Sequence, residues 1–168
     1  MEGLVLVAKR EDAFIALTRL YEAGKIELEY EAIVVGRLQP SSKHVRLEVD
    51  ADAVRDRGEI CLPSSNPDLG DRIVSTRYRV LKETRSNAGE HLTTVVAWPT
   101  SSPVKHQIRR AFQEVGHPVI GDKTYGIGIK INSKTLCAAL LRVSFMHPFL
   151  VQDKALLDVS LPNLTFSR

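Results

Sequence analysis

Apolar and polar residues alternate with helical spacing in some parts of the chain and with strand spacing in others. Residues 4–8 form a continuous apolar run, which is typical of a strand buried on both faces. Over residues 11–23 the apolar positions recur at helical spacing, and Gly24 follows where a C-cap belongs. Residues 26–34 then alternate between apolar and mostly acidic side chains. This alternation predicts a strand with one buried face, ended by Gly36.

The rest of the chain predicts one more helix among several strands. The helix is expected over residues 103–115, with Ser102 as N-cap, Pro103 at its first position and Gly116 at its end. Glycines and a proline in residues 116–122 predict a shaped loop. Together the patterns predict an α+β fold with a mostly antiparallel sheet and a few flanking helices. Further strands are predicted at residues 45–49, 73–81, 92–97, 136–145 and 155–161.

Length and composition suit one globular domain over residues 1–168. Lys and Arg number 23 against 20 Asp and Glu, a surplus too small to indicate nucleic acid, so the positions of the cations matter more. Cys61 and Cys137 lie far apart, which predicts neither a disulfide framework nor a zinc site and suits a reducing compartment. The histidines show no metal-ligand spacing, so no metal is expected.

The helix predicted at residues 103–115 carries the clearest chemical signal. Apolar residues line one of its faces, whereas His106, Arg109 and Arg110 lie on the other and Lys105 lies at the edge. Cations near a helix N-terminus oppose the helix dipole, so their presence favours a bound anion such as a phosphate or a carboxylate. The alternative interpretation is the ordinary solvated face of an amphipathic helix.

Several stretches, in order along the chain, resemble the signatures of the RluA-type RNA pseudouridine synthase family. Residues 106–109, His-Gln-Ile-Arg, resemble the end of G-R-T-H-Q-I-R, and residues 115–126 resemble L-G-H-P-I-x-G-D-x-x-Y-G. Residues 3–9 are similar to the end of T-S-G-L-L-L-V-A-K, residues 24–36 to a segment ending K-x-Y-x-A-x-V-x-G, and residues 136–148 to C-L-H-A-x-R-L-S-F-x-H-P. Each motif alone is a weak signal, but their shared order over nearly the whole chain is specific.

The resemblance implies a pseudouridine synthase-like fold and an isomerase that acts on RNA. Such enzymes flip a uridine, detach its base, rotate it and reattach it through carbon, without a metal or organic cofactor. By position, Tyr30 matches the tyrosine that packs on the flipped base, and Arg109 matches the arginine that pairs with the catalytic aspartate. Lys105, His106 and Arg110, together with Arg109, are the expected contacts to RNA phosphates. The alternative roles are a core residue for Tyr30 and simple solvation for the cations.

The sequence departs from the family pattern at positions that matter for catalysis. The catalytic aspartate belongs upstream of the glycine that matches Gly3, at a position before Met1, so the sequence is expected to lack it along with N-terminal strands of the fold. Glu2 is too far displaced to replace it. Further motif residues are replaced: Arg by Val104, Thr by Lys105, Lys by Leu28 and His by Ala139. With no aspartate, a buried Arg109 is expected to reach solvent, another carboxylate or a phosphate, and an RNA phosphate or a neighbouring protein is favoured.

Three functions remain open on these grounds. The first is a non-catalytic RNA-binding or assembly module, with rRNA as the expected partner and tRNA as the alternative, on a ribosome or its precursor. The second is a fragment of an active pseudouridine synthase whose aspartate lies upstream or on another chain. The third is an unrelated α+β domain that binds a small acidic ligand at the second helix.

The surroundings of the protein can be anticipated only in outline. The strand predicted at residues 4–8 has an open edge, over which a partner protein or RNA is expected. Its apolar run is too short to cross a membrane, and no membrane partner is expected. The expected location is intracellular, in the cytoplasm or in an organellar matrix, the mitochondrion included.

Overall fold

The computed structural model describes residues 2–38, 45–46, 57–63, 73–99, 105–126, 135–150 and 155–162. Within these residues it forms one 8-stranded sheet with the order β1–β7–β2–β6–β5–β4–β3, and β8 also pairs with β7. All pairs are antiparallel except β1 with β7. The elements are β1 Glu2–Gly3, α1 Glu11–Glu22, β2 Glu27–Val35, β3 Val45–Arg46, β4 Arg57–Pro63, β5 Ile73–Arg85, β6 His91–Pro99, α2 Gln107–Glu114, β7 Ala138–Met146 and β8 Leu156–Ser160.

Both helices pack on the same face of the sheet, because alternate residues of β2 contact each of them. Ala32 and Val34 belong to a buried cluster that includes Phe112 and other apolar residues of α2. Leu28, further back on the same face of β2, belongs to a second cluster, against which partly buried leucines of α1 pack. Tyr30 lies between them and packs against both clusters. The α+β class with a mostly antiparallel sheet is confirmed.

The first helix and the strand that follows it are confirmed close to their predicted bounds. After α1, the Gly24 N–H donates to the Tyr21 carbonyl at 3.0 Å and the Lys25 N–H donates to the Leu20 carbonyl at 2.8 Å. These two bonds form a Schellman motif, for which Gly24 adopts a φ of 64°. Periodicity and a glycine stop signal were therefore sufficient to predict this part of the fold.

The prediction of a buried strand at residues 4–8 is wrong. The Leu4 N–H donates to the Leu140 carbonyl at 2.9 Å, but residues 4–8 form no ladder, and Val5 and Val7 are 82% and 72% exposed. The reason lies in β7, whose outer edge is paired with β8 from Arg142 onward. The N-terminal segment, which runs parallel to β7, therefore has no free edge to follow beyond Leu140.

The second helix begins later than predicted. Helix α2 starts at Gln107, and His106 directly before it has a φ of 61°, a left-handed conformation that cannot continue a right-handed helix. Lys105 and His106 therefore form a turn ahead of the helix instead of its first turn. The predicted cap at Ser102 and Pro103 lies outside the described residues.

Strand β4 was missed by the sequence analysis. Its seven residues contain Gly58 and Pro63, which weaken the local strand signal. The strand depends instead on a continuous ladder with β5, from Arg57 opposite Arg79 to Pro63 opposite Ile73. Strand β5 is also longer than predicted, and it reaches Arg85.

The loop after α2 is fastened to the sheet. Its start is a second Schellman motif, in which the Gly116 N–H donates to Gln113 at 2.9 Å and the His117 N–H donates to Phe112 at 2.8 Å. Further along, the Ile120 N–H donates to the Ile33 carbonyl at 2.9 Å. Gly121 follows with a φ of 75°, where a side chain would overlap the Thr135 carbonyl oxygen. The loop thus delivers the next residue, Asp122, to a fixed place.

Replacing Gly121 tests this account of the loop. We expect Gly121→Ala to lower the free energy of unfolding by about 3 kcal/mol, because it combines an unfavourable left-handed alanine with steric overlap. The measurement is chemical denaturation. Gly89→Ala is the matched control, since Gly89 has a φ of 83° but nothing within 4 Å of the added carbon. Equal losses in the two variants would contradict the close approach at Thr135.

Candidate functional site

A buried ion pair joins α2 to the loop that follows it. Arg109 donates from Nε and Nη2 to the two carboxylate oxygens of Asp122, both at 2.6 Å. The side chain of Asp122 is fully buried and that of Arg109 is 15% exposed. The same carboxylate accepts the backbone N–H groups of Thr124 and Tyr125, at 2.9 and 3.0 Å. Asp122 is therefore held by four donors and in turn fixes the guanidinium of Arg109.

The ionisation of both partners follows from this geometry. Burial opposes charge on Asp122, but the hydrogen bonds from Arg109 and from the amides of Tyr125 and Thr124 outweigh it and lower the pKa of the carboxyl group. The hydrogen bond to Asp122 raises the pKa of Arg109. Both groups are thus charged at neutral pH, and the pair neutralises itself.

This pair corrects the sequence analysis. Arg109 was expected to reach solvent, another carboxylate or a phosphate, with an RNA phosphate or a neighbouring protein favoured, and the partner that the structure shows is the carboxylate of Asp122. The signal was available in the Gly-Asp of the motif at residues 115–126, where the sequence analysis predicted only a shaped loop. Spacing alone gave no reason to pair Arg109 with a carboxylate in the next loop.

Tyr125 links this ion pair to His106. The guanidinium carbon of Arg109 lies 5.0 Å from the centre of the Tyr125 ring, a cation–π contact. The Tyr125 hydroxyl is 3.2 Å from Nδ1 of His106, and the two rings meet edge to face with centroids 5.8 Å apart. In the described part of the chain, His106 is the one non-glycine residue with positive φ. A left-handed conformation costs an ordinary residue roughly 1–2 kcal/mol, so these contacts have strain to offset.

The remaining residues around the start of α2 differ in exposure. Lys105 and His106 are exposed, and Arg110 is half-buried. Slight burial and the nearby cations Arg109 and Lys105 lower the pKa of His106, against the opposing effect of Asp122, so its ring is neutral at pH 7. Gln107, which the sequence analysis gave no role, is buried, and its amide donates to the Ser75 carbonyl at 2.8 Å. This bond ties the start of the helix to β5.

Tyr30 lines a different place, an apolar cavity of about 340 Å³. Burial, and to a lesser extent Tyr21, raises the pKa of Tyr30 to about 12, so its phenol stays neutral. None of the described residues of α2 lines this cavity. The structure thus brings together Lys105, His106 and Arg109, whereas the described contacts of Tyr30 are with this cavity and with the two apolar clusters. The cavity wall consists of Leu6, Ala8, Phe14, Leu17, Thr18, Tyr21, Ile26, Leu28, Tyr30, Leu140 and Val143.

The fold is that of pseudouridine synthases. The chain superimposes on the human RNA pseudouridylate synthase domain containing 1 with a TM-score of 0.65 at 22% identity, covering 94% of this chain and 62% of the human one. At that level of identity the similarity concerns the fold alone. In the part of the chain that the structure describes, no helix is long and apolar enough to cross a membrane.

Relatives that are similar in sequence narrow the protein family to which the chain can be assigned. The chain is 31% identical over 148 residues to the dual-specificity RNA pseudouridine synthase RluA of Pasteurella multocida, covering 87% of this chain and 63% of the relative. It is 29% identical over 171 residues to tRNA pseudouridine synthase C of Haemophilus ducreyi, covering 93% of this chain and 68% of the relative. The chain therefore spans about two thirds of the length of these relatives. No protein-family model matches it. The chain belongs to the RluA-type RNA pseudouridine synthase family.

The contribution of the buried ion pair can be measured. We expect Asp122→Asn to lower the free energy of unfolding by about 3–5 kcal/mol, because it leaves a buried guanidinium without its counter-charge. The matched control is Asp158→Asn, since Asp158 accepts the same bidentate contact from Arg142 but the two side chains are 36% and 42% exposed. Solvent screening makes that loss small. If denaturant titrations show equal losses of unfolding free energy in the two variants, burial does not set the contribution of the Arg109–Asp122 pair to stability.

Proposed function

We propose that the chain binds RNA through the residues at the start of α2, and that it does not by itself isomerise uridine. The proposed contacts are Lys105, His106, Arg109 and Arg110. The observation that carries the proposal is the exposed pair Lys105 and His106 beside the clamped Arg109, in a chain of a family named for RNA substrates. Positive side chains of this kind supply the sequence-independent part of RNA affinity through phosphates.

The four residues would contribute to RNA binding in different ways, according to their surroundings. Lys105 is exposed and offers a compact charge with three donors. A guanidinium has five N–H donors, of which Asp122 takes one on Nε and one on Nη2 of Arg109. Arg109 therefore acts mainly by holding the site in shape, and its other donors can meet a phosphate. Arg110, on the next position of the helix, adds a further positive charge.

Tyr30 would serve as a platform for a base. Its ring borders an apolar cavity of about 340 Å³, large enough for a small planar group. Stacking of a base on an aromatic ring contributes about 1–3 kcal/mol, and it does not require a charged residue nearby. Since the cavity and the cations are separate features of one sheet face, the proposal treats base stacking and phosphate binding as two contacts.

Catalysis needs a carboxylate that the described residues do not bring to Tyr30. The cavity wall is apolar apart from Thr18 and the two tyrosines, so among the described residues no Asp or Glu lines it. Asp122 is buried and already accepts four hydrogen bonds, so it is poorly placed to attack or to take a proton. The alternative is that the chain acts as part of an active synthase, with the aspartate supplied by another segment; the open cavity beside Tyr30 favours it.

The RNA class and the compartment are also proposals. We take rRNA, on a ribosome or its precursor, as the first partner and tRNA as the alternative, since one relative is named for tRNA. Binding would take place inside the cell, in the cytoplasm or in an organellar matrix such as that of mitochondria. Binding assays with both RNA classes separate these two alternatives.

A protein partner at the N-terminal edge belongs to the same proposal. Apolar side chains that are exposed in the described residues concentrate on the N-terminal segment, on α1 and around β7 and β8. Concentrated exposed apolar residues often mark interaction surfaces. They are Val5, Leu6, Val7, Phe14, Ile15, Tyr21, Met146, Phe149, Leu150, Leu156, Leu157 and Val159.

Removing the proposed phosphate-binding side chains should weaken RNA binding in a salt-dependent way. For Lys105→Ala and Arg110→Ala we expect lower affinity for structured rRNA fragments, and a slope of log K against log salt that is smaller by about 0.7–0.9 for each phosphate that the variant no longer neutralises. The measurement is fluorescence anisotropy over a salt series. Arg85→Ala is the control, because Arg85 lies at the far end of β5, about 30 Å from where Gln107 binds that strand. If Arg85→Ala weakens binding equally, the affinity comes from overall charge and not from this site.

The absence of turnover can be tested directly. Isomerisation moves the glycosidic bond of uridine from nitrogen to C5 and releases the hydrogen there, so RNA tritiated at uridine C5 reports it. We expect the 168-residue chain to release no more tritium than RNA alone. Release above that background would replace the binding-only proposal with the alternative of an active synthase. Binding to the same RNA, measured in parallel, shows that the substrate is engaged.

A further inference from the structure

We propose that Tyr125 is a positioning residue, whose hydroxyl fixes the His106 imidazole so that it presents the N–H of Nε2 to an RNA phosphate. The inference rests on the RNA binding proposed above and adds to it a residue and a protonation state. The observation behind it is the left-handed backbone conformation of His106, which is uncommon for a residue other than glycine. An exposed side chain on a strained backbone needs a neighbour that holds it.

The geometry identifies that neighbour as Tyr125. Its hydroxyl lies 3.2 Å from His106 Nδ1, and its ring meets the imidazole edge to face. The position of Tyr125 is itself fixed from two sides. Its backbone N–H donates to the buried carboxylate of Asp122 at 3.0 Å, and the Arg109 guanidinium lies over its ring. Contacts therefore run without a gap from Asp122 through Tyr125 to His106.

The proposal takes the Tyr125 hydroxyl as the donor and Nδ1 of His106 as the acceptor, and this direction sets which nitrogen of His106 can donate outward. When the neutral imidazole accepts the Tyr125 hydroxyl at Nδ1, its single proton is on Nε2. The N–H of Nε2 is then a donor for an anionic oxygen. The groups that face this ring are Tyr125, Lys105, Arg109 and Asp122. Burial and the two cations outweigh Asp122 and lower the pKa of His106 below its ordinary value of 6.5, which favours the neutral ring at pH 7.

A phosphate would change that balance in a predictable direction. Its negative charge raises the pKa of His106, so the complex binds more protons than the free protein. RNA affinity should therefore rise as the pH falls through the pKa of the complex, and level off below that of the free protein. A hydroxyl both donates and accepts, so Tyr125 can also accept from the protonated Nδ1. The positioning contact survives in both states of the ring.

The variant Tyr125→Phe removes the hydroxyl and keeps the ring beneath Arg109. We expect its RNA affinity to fall about fivefold at pH 8, where His106 is neutral and must have its proton on Nε2. The deficit should shrink towards pH 5.5, because a protonated imidazole donates from both nitrogens. A purely structural role of Tyr125 would give a deficit that does not depend on pH. Denaturation of Tyr125→Phe at both pH values verifies that the fold is retained.

His106→Asn supplies the matched control. Asparagine tolerates the left-handed conformation and does not titrate, so this variant should lose the rise in affinity at low pH. In its background, Tyr125→Phe should have no further effect. If Tyr125→Phe still lowered the RNA affinity of the His106→Asn variant as much as that of the wild type, the inference would be overturned, since Tyr125 would then act through another residue.

Two measurements distinguish this inference from the proposed function. The ¹⁵N chemical shifts of the His106 ring, measured without RNA, should show the proton on Nε2 in the wild type and a mixture of tautomers in Tyr125→Phe. Identical tautomers in both would overturn the positioning role whether or not RNA binds. If Lys105→Ala weakens RNA binding but Tyr125→Phe alters neither affinity nor pH profile, only this inference fails. If the wild type binds no RNA, the proposed function fails.

Discussion

The buried ion pair between Arg109 and Asp122 is the interaction on which the arrangement around α2 depends. It joins the helix directly to the loop of residues 116–126, in addition to the contacts that each of them makes with the sheet. A buried pair of this kind adds little net stability over apolar packing, but it is costly to break on one side only. Its value here is positional, since Asp122 also fixes the backbone of Tyr125, and Tyr125 contacts both Arg109 and His106.

The parts of the fold that the sequence predicted are those set by local periodicity. Helix α1 and strand β2 have regular patterns and glycine stop signals, and both were placed within a residue or so. The parts that failed depend on partners distant in sequence. Residues 4–8 do not form a strand because β8 occupies the edge of β7, and β4 is a strand because β5 pairs with it along its length. Neither fact is visible in the segment itself.

The candidate site also was predicted only in part, since its residues could be named from the sequence but their contacts could not. Resemblance pointed to Tyr30 and Arg109, and the polar face and edge of the predicted helix added Lys105, His106 and Arg110, but neither could state their contacts. That Arg109 would meet Asp122 depends on Gly121, whose backbone conformation brings the loop close to Thr135 and turns the next residue inward. The left-handed His106 was equally hidden, because the helical periodicity of the surrounding residues predicted a helix that ran through it.

Binding and catalysis make separable demands on this fold. Arg109 is held by an ion pair that is complete within the described residues, so the proposed phosphate contacts need no further segment for this support. Catalysis at the base site proposed beside Tyr30 would need a carboxylate in an apolar cavity, where desolvation and placement dominate. Asp122 cannot move there without releasing Arg109, because one carboxylate cannot serve both places. A chain with this fold could therefore bind phosphates without being able to catalyse, and binding and catalysis have to be assayed separately.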